Sequence, residues 1–372
     1  MPGDNWPANA VENVVRDPHD SDPARRYKGF YGAIGRRPMF SPDGLHWSLS
    51  DVAELPSSDE SNLSFDEANG LFIASLKKGG PFGRSHAIWT SSDFIHWNDT
   101  GSLFHADETD QQLAKSAIAE RFADASLQRP VENRPEDYNA DIYNIGIFNY
   151  EGIYIGLPAV YHATGKHENN TDGFHLIQLA CSRDLRQWQR LGDRRPFIGP
   201  SPVGPDVWDR TQLLPPSSPV LRDDELWFYY TGIKYRAKPQ DGDEKSGAVC
   251  LAVLRRDGFV SLDAGRDGGE LVTRPLHVPN TQNCRLVLNA QVADDGEITV
   301  AVLGPDDTPL PGFSFDDCLP LTGDDTDLVA AWKSATDLGR LPNQPLRLQF
   351  RLKNASLYSF RFVDSDAKAT AP

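Results

Sequence analysis

The chain has 372 residues and a formal net charge of −16 at neutral pH, from 37 Lys and Arg set against 53 Asp and Glu. So acidic a surface repels phosphate backbones and anionic lipid, which argues against nucleic acid and membrane as partners, and no apolar run reaches membrane-spanning length. The 18 Phe, 11 Tyr and 8 Trp against 2 Met, with 30 Gly and 28 Pro between short apolar runs, point away from helix bundles and toward a turn-rich all-β chain.

The opening decapeptide, MPGDNWPANA, has no basic stretch followed by an apolar one. As it stands the sequence is expected in the cytoplasm, and in the periplasm or outside the cell if a segment precedes it. Strands are then expected at 13–15 and 27–33, closed by Ser41-Pro-Asp43-Gly-Leu-His-Trp47. A second set, 63–65, 71–75 and 85–90, closes on Ser91-Ser-Asp93-Phe-Ile-His-Trp97. Residues 107–138 interrupt the pattern, with a helix expected over 110–123. A third set, 142–148, 153–157 and 174–180, ends in Ser182-Arg-Asp184-Leu-Arg-Gln-Trp188. A fourth, 218–221, 226–231 and 248–254, runs into Arg255-Arg-Asp257-Gly-Phe259, a weakened copy of the same motif.

Ser and Asp at this spacing cap backbone N–H groups in a tight bend, and the Trp four residues after Asp can pack between neighbouring units. The repeat therefore reads as scaffold. Four small antiparallel units of similar length predict a β-propeller over 1–265, with the partly helical insertion at 107–138. From 266 to 372 the motif is absent and strands at 271–278, 284–290, 297–303, 346–352 and 357–362 are joined by turns such as Asp294-Asp-Gly296, which predicts an accessory β-sandwich. Cys181, Cys250, Cys284 and Cys318 form no Cys-x-x-Cys pair. The first two are expected as small buried residues, and a Cys284–Cys318 bridge is one reading of the others.

The chain resembles glycoside hydrolase families 32 and 43, the invertase-like and arabinanase-like enzymes. It is more similar still to the bacterial group described as glycosyl hydrolase family 32 N-terminal domain-like. The residues that carry this are Arg25-Arg-Tyr-Lys28, Phe40-Ser-Pro-Asp-Gly-Leu-His-Trp47, Asp141-Ile-Tyr143, Tyr150-Glu-Gly-Ile-Tyr154, Trp208-Asp209, Gly312-Phe-Ser314, Asp317-Cys318 and Leu357-Tyr-Ser-Phe360. The resemblance implies a five-bladed propeller and a glycosidase acting on a carbohydrate, with no cofactor. Only four units are countable, so the expectation divides between a chain lacking a first blade and one that closes with fewer.

Glycoside hydrolysis needs two carboxylates flanking the scissile bond. In a propeller, acids at the starts of inner strands point toward the shared funnel. That rule selects Asp59, Asp141 and Asp209 as catalytic candidates, with Glu12 the weakest. By the resemblance Asp141 matches the general acid and Asp59 the stabilising carboxylate, while the nucleophile or base belongs to the uncounted blade. Asp17 and Glu151 read as turn residues. Arg84 and His86, with Tyr143, Trp208 and Tyr161 as stacking surfaces, are the expected substrate-binding residues. The nine histidines show no metal-ligand spacing, and no phosphate loop or nucleophile elbow is present. A non-catalytic sugar-binding propeller is the alternative; a sialidase-like enzyme ranks lower, since its Asp-box spacing differs.

Overall fold

The computed structural model describes residues 11–32, 34–168, 170–236, 246–279, 283–333, 338–341 and 344–364. The opening decapeptide and Ala33, the expected end of a strand, lie outside the described residues. Strands hold 53% of the chain and helix 8%, which makes it all-β. No helix among the described residues is long and apolar enough to cross a membrane. The chain divides into two compact units, Met1–Leu221 with Trp227–Val253, and Arg222–Leu226 with Leu254–Pro372.

The first unit contains four antiparallel sheets among its described residues. Strands β1 (Val11–Arg16), β2 (Tyr27–Tyr31), β3 (Arg37–Ser41) and β4 (Ser48–Leu49) form the first in simple up-and-down order. Strands β5 (Ser61–Asp66), β6 (Leu71–Gly80), β7 (Gly83–Ser91) and β8 (Asn98–Phe104) repeat that order in the second. Helix α1 (Glu108–Ala123) follows, capped by Asp107 and Asp110, each accepting from the other's backbone N–H. Its buried residues Asp110, Ala114, Ile118 and Arg121 recur at helical spacing, so one face packs inward.

The third sheet has β9 (Asn139–Tyr150), β10 (Ile153–His167), β11 (Asn170–Ile177), β12 (Ala180–Ser182) and β13 (Gln189–Arg190). β10 pairs β9 along its length, and β11 and β12 at its two ends. Residues 140–148 of β9 are buried without a break, the pattern of a strand covered on both faces. In the fourth sheet β14 (Gln212–Leu214), β15 (Val220–Arg222) and β17 (Gly247–Arg255) all pair with β16 (Glu225–Ile233).

The repeated motif forms the bend between the third and fourth strand positions of the first three sheets. Asp43 Oδ1 accepts from the N–H groups of Leu45 and His46, each at 2.8 Å, and Asp93 Oδ1 accepts at the same distance from Ile95 and His96. Asp184 repeats this with Arg186 and Gln187. The residue after each Asp takes positive φ, 79° at Gly44, 63° at Phe94 and 60° at Leu185, so the two caps hold a backbone that non-glycine residues otherwise avoid. Trp97 of the second sheet lies 5.7 Å from Phe30 of the first, and Trp188 of the third 5.6 Å from Phe104 of the second. Trp97 and Trp188 thus join neighbouring sheets, while Trp47 packs over Gly29 of its own sheet. The fourth copy differs: Asp257 itself takes positive φ, 58°, its Oδ2 accepts from Ser359, and the next strand pairs elsewhere.

The second unit is built on two long strands, β20 (Cys284–Leu303) and β24 (Arg347–Asp364), paired nearly end to end. β18 (Leu262–Ala264) and β19 (Gly269–Val272) pair with β24; β22 (Asp324–Val329) pairs with β20. A separate ladder joins β21 (Cys318–Leu319) to β23 (Ala331–Trp332). The turn expected at Asp294-Asp-Gly296 is a bulge instead. The register slips between Val292 and Glu297, and both flanking stretches pair in succession with β24. A Cβ on Gly296 would lie 2.5 Å from Asn354 O, so the bulge needs glycine there. All four cysteines are free thiols, and Cys318 Sγ accepts from Val300 N–H at 3.3 Å, where a Cys284–Cys318 bridge had been one reading. Cys181 and Cys250 are part-exposed, not buried.

The third sheet and the segment between β14 and β15 approach closely. A Cβ on Gly146 of β9 would stand 1.9 Å from Pro216 O, in the segment between β14 and β15. Gly146→Ala is therefore expected to cost at least about 2 kcal/mol through forced backbone movement. Urea unfolding would show a lowered midpoint with unchanged slope; an unchanged midpoint would refute the close approach.

Candidate active site

The candidate site assembles on the second and third sheets. Lys77 lies near the end of β6, directly across from His86 on β7, and is 3% exposed. An ammonium so buried needs anionic partners. Its Nζ lies 3.1 Å from Asp59 Oδ2 and also bonds Glu60 Oε2, two acids immediately before β5. On β9, Asp141 stands opposite Tyr161 of β10. The next outward residue, Tyr143, is the extra one in a β-bulge between Ile142 and Asn144, and bulges re-aim a side chain out of the ladder.

Tyr143 is where these pieces meet. Its hydroxyl donates to Glu60 Oε1 at 3.0 Å. Its ring carries Lys77 Nζ at 4.1 Å, the Arg84 guanidinium at 4.7 Å and that of Arg236 at 5.3 Å. Tyr161 carries the same two guanidiniums at 4.5 and 5.4 Å. His175 of β11 packs against both tyrosines, 4.5 and 4.9 Å between ring centroids.

Two carboxyls are shifted toward their protonated form. Asp141 is 5% exposed and burial raises it above the ordinary carboxylate value; the Arg84 charge and hydrogen bonds oppose this without overcoming it. Arg84 Nε donates to its Oδ2 at 2.8 Å, and Oδ1 has no hydrogen-bond partner. Asp59 is raised by burial and by its hydrogen bond to Glu60, against the pull of Lys77. Burial acts on Glu60 as well, but hydrogen bonds from Asp59 and Lys77 outweigh it and hold Glu60 at about 2. Of the adjacent acids, Glu60 stays ionised and Asp59 is the one that takes a proton.

Of the residues nominated from sequence, Asp59, Asp141, Arg84, Tyr143 and Tyr161 come together. Asp209 bonds elsewhere: its Oδ2 accepts from Tyr230 Oη of β16 at 2.7 Å and from Ser201 Oγ, in the segment before β14, at 2.9 Å. Trp208 lies apart too, under Lys234 Nζ at 4.1 Å. His86 has no exposed surface and its Nε2 lies 3.1 Å from Tyr143 O, where it supports the Tyr143 backbone. The Tyr143 ring, nominated as a stacking surface, has Lys77, Arg84 and Arg236 against it. Glu12 reaches Arg36 at 3.4 Å, and Asp17 is buried against Lys28 at 2.9 Å in a turn. Sequence reasoning missed Glu60, Lys77, His175 and Arg236. Glu60 adjoins Asp59, and a lysine continuing the apolar run 71–76 was a legible sign of a buried charge; Arg236 left none.

No protein-family profile matches the chain, and no curated protein does. Among solved structures it is similar to a β-1,2-mannobiose phosphorylase from Listeria innocua, at 16% identity and TM-score 0.35, over 62% of this chain and 50% of that one. The chain thus spans half the length of that protein. It is also similar, at 14% identity and TM-score 0.38 over 68% of each chain, to a member of glycoside hydrolase family 130 from work on mannoside phosphorylases and hydrolases of β-1,2-mannosidic linkages in Candida mannan. A third, at 14% identity and TM-score 0.28 over 66% of this chain and 89% of that one, is an N-acetylgalactosamine deacetylase from F. plautii in complex with blood group B trisaccharide.

Burial lowers His86 and His162 to about 4 and His175 well below its ordinary value. Below pH 6.5 the unfolded chain binds protons that these imidazoles refuse when folded. Their contribution to stability is complete above that pH and is lost as the pH falls toward 4. Each costs up to about 1.4 kcal/mol per pH unit in that window; the raised Asp141 and Asp59 work the other way but are two groups against three. Urea unfolding at pH 7, 6, 5 and 4.5 is expected to show falling stability, and stability that rises on acidification would contradict buried neutral imidazoles.

Proposed function

We propose that the chain is a carbohydrate-active enzyme that hydrolyses glycosidic bonds, with Asp141 as general acid and Asp59 as the second carboxylate. The observation that carries this is a carboxyl held by burial toward its protonated form, within one side-chain cluster with a more exposed carboxylate that shares a lysine with a third. An acid that keeps its proton can give it to a leaving oxygen; Asp59, raised but accessible, can take one from water. Glu60 remains an anion and fixes Lys77 and the Tyr143 hydroxyl. Asp209 holds Tyr230 and acts at most from a distance.

The architecture proposed with this is a β-propeller over 1–265, its blades the four sheets of the first unit, with an accessory β-sandwich over 266–372. The recurring strand order and the Trp contacts between neighbouring sheets support it. The resemblance to glycoside hydrolase families 32 and 43 belongs to the same proposal, as does a carbohydrate as the partner.

The test is a panel of aryl furanosides, aryl pyranosides and oligosaccharides with the parent chain, Asp141→Asn and Asp59→Asn. Either substitution is expected to lower kcat/KM by a factor of about 100 or more, with Asp141→Asn sparing substrates whose leaving group needs no proton. Sugar binding without turnover, the same in all three proteins, would refute catalysis and leave a sugar-binding protein.

A further inference from the structure

Arg236 is the cation in the cluster whose charge no carboxylate balances among the described residues. Asp59 and Glu60 lie on Lys77, and Asp141 lies on Arg84. The hydrogen bonds of Arg236 go to neutral acceptors: Gln212 Oε1 at 3.1 Å, Asn170 Oδ1 at 3.2 Å, Thr171 O at 3.3 Å and the Tyr143 hydroxyl at 3.5 Å. It is part-buried and shares two tyrosine rings with a second guanidinium, Arg84. Beside them His175 is fully buried with neither ring nitrogen bonded, an uncharged neighbour that gives no relief.

The imbalance grows in the form that would do chemistry. With Asp141 protonated, Arg84 loses its counter-charge as well; Asp59 and Glu60 are committed to Lys77, and Asp172, whose charge reaches Tyr161, accepts from the backbone N–H groups of Glu132 and Gly173. A cluster of three cations stands out in a chain of net charge −16, and a part-buried guanidinium is screened less by water than an exposed one, so it attracts an incoming anion more strongly.

We propose that this site takes a sugar bearing an oxyanion, a uronate or a sulfate ester, with Arg236 as the residue that recognises it. The guanidinium would exchange neutral acceptors for a charged one, and charge-assisted bonds are about twice as strong as neutral ones. The inference names the substrate class of the hydrolase proposed above and rests on that reading for turnover, but not for binding.

The experiment is calorimetric titration of the full chain, Arg236→Gln and Arg236→Lys. The probes are methyl glucuronide, methyl galacturonide and a sulfated methyl galactoside, with methyl glucoside and galactoside as neutral counterparts and inorganic phosphate and sulfate alone. Matching circular dichroism spectra and melting temperatures would show that the variants fold. An acidic sugar is expected to bind the parent and to lose about ten- to a hundredfold in affinity in Arg236→Gln, with partial retention in Arg236→Lys. Preference between uronate and sulfate ester identifies the oxyanion. Neutral sugars binding as tightly as acidic ones would overturn the inference, as would inorganic phosphate or sulfate occupying the site with no acidic sugar able to displace it. The two readings separate cleanly. Arg236-dependent binding of acidic sugars without turnover of any glycoside keeps the recognition and removes the hydrolase; turnover confined to neutral glycosides does the reverse.

Discussion

A lysine with almost no contact with water, Lys77, sets the terms for everything around it. An ammonium in that position must be matched by negative charge or give up its proton, and the chain meets the requirement with two consecutive acids at the entry to β5. Two carboxylates on one ammonium cannot be equivalent. Glu60, which also receives the Tyr143 hydroxyl, keeps the charge, and Asp59 is left more basic than a free aspartate. The Tyr143 ring then lies under Lys77 and attracts two guanidiniums to its remaining surface. The position and ionisation of Asp59 and Glu60 follow from that one buried charge, while Asp141 is set by its own burial and by Arg84.

The scaffold and the chemistry are carried by different parts of the same sheets. The Ser-x-Asp-x-x-x-Trp bends sit beyond the third strand position, where their hydrogen bonds are local and the Trp97 and Trp188 rings fill the seams between sheets. The charged cluster occupies β6, β7, β9 and the acids before β5. Gly83 touches both requirements: it has a φ of 115°, and a Cβ there would meet Asp141 Oδ2 at 2.9 Å, so the tight turn and the close approach to the acid need the same absent side chain.

What could be read from the sequence follows from how local the determining interaction is. The bends, the helix 110–123 and most strand positions rest on contacts within a few residues, and they are legible as spacing. Asp59 and Asp141 were legible as acids at the starts of strands expected to be innermost. Asp209 met the same criterion, yet its oxygens are turned to Tyr230 and Ser201, and nothing in Trp208-Asp209-Arg210 announces partners 21 and 8 residues away. His86 looked like a polar neighbour of the site and is a buried support for it. The Asp294-Asp-Gly296 stretch has the composition of a turn, and a single continuous partner strand made it a bulge.

The amino-acid sequence by itself determined the all-β class, the repeated bend and the acids that stand at the entries to β5 and β9, because patterning and capping act over a few residues. Tertiary structure alone decided which of those acids share a charge environment. A pKa is fixed by burial and by charges from strands distant in sequence, so the roles of Glu60, Lys77 and Arg236 came into being only when β6, β7, β9 and the end of the fourth sheet were brought around Tyr143.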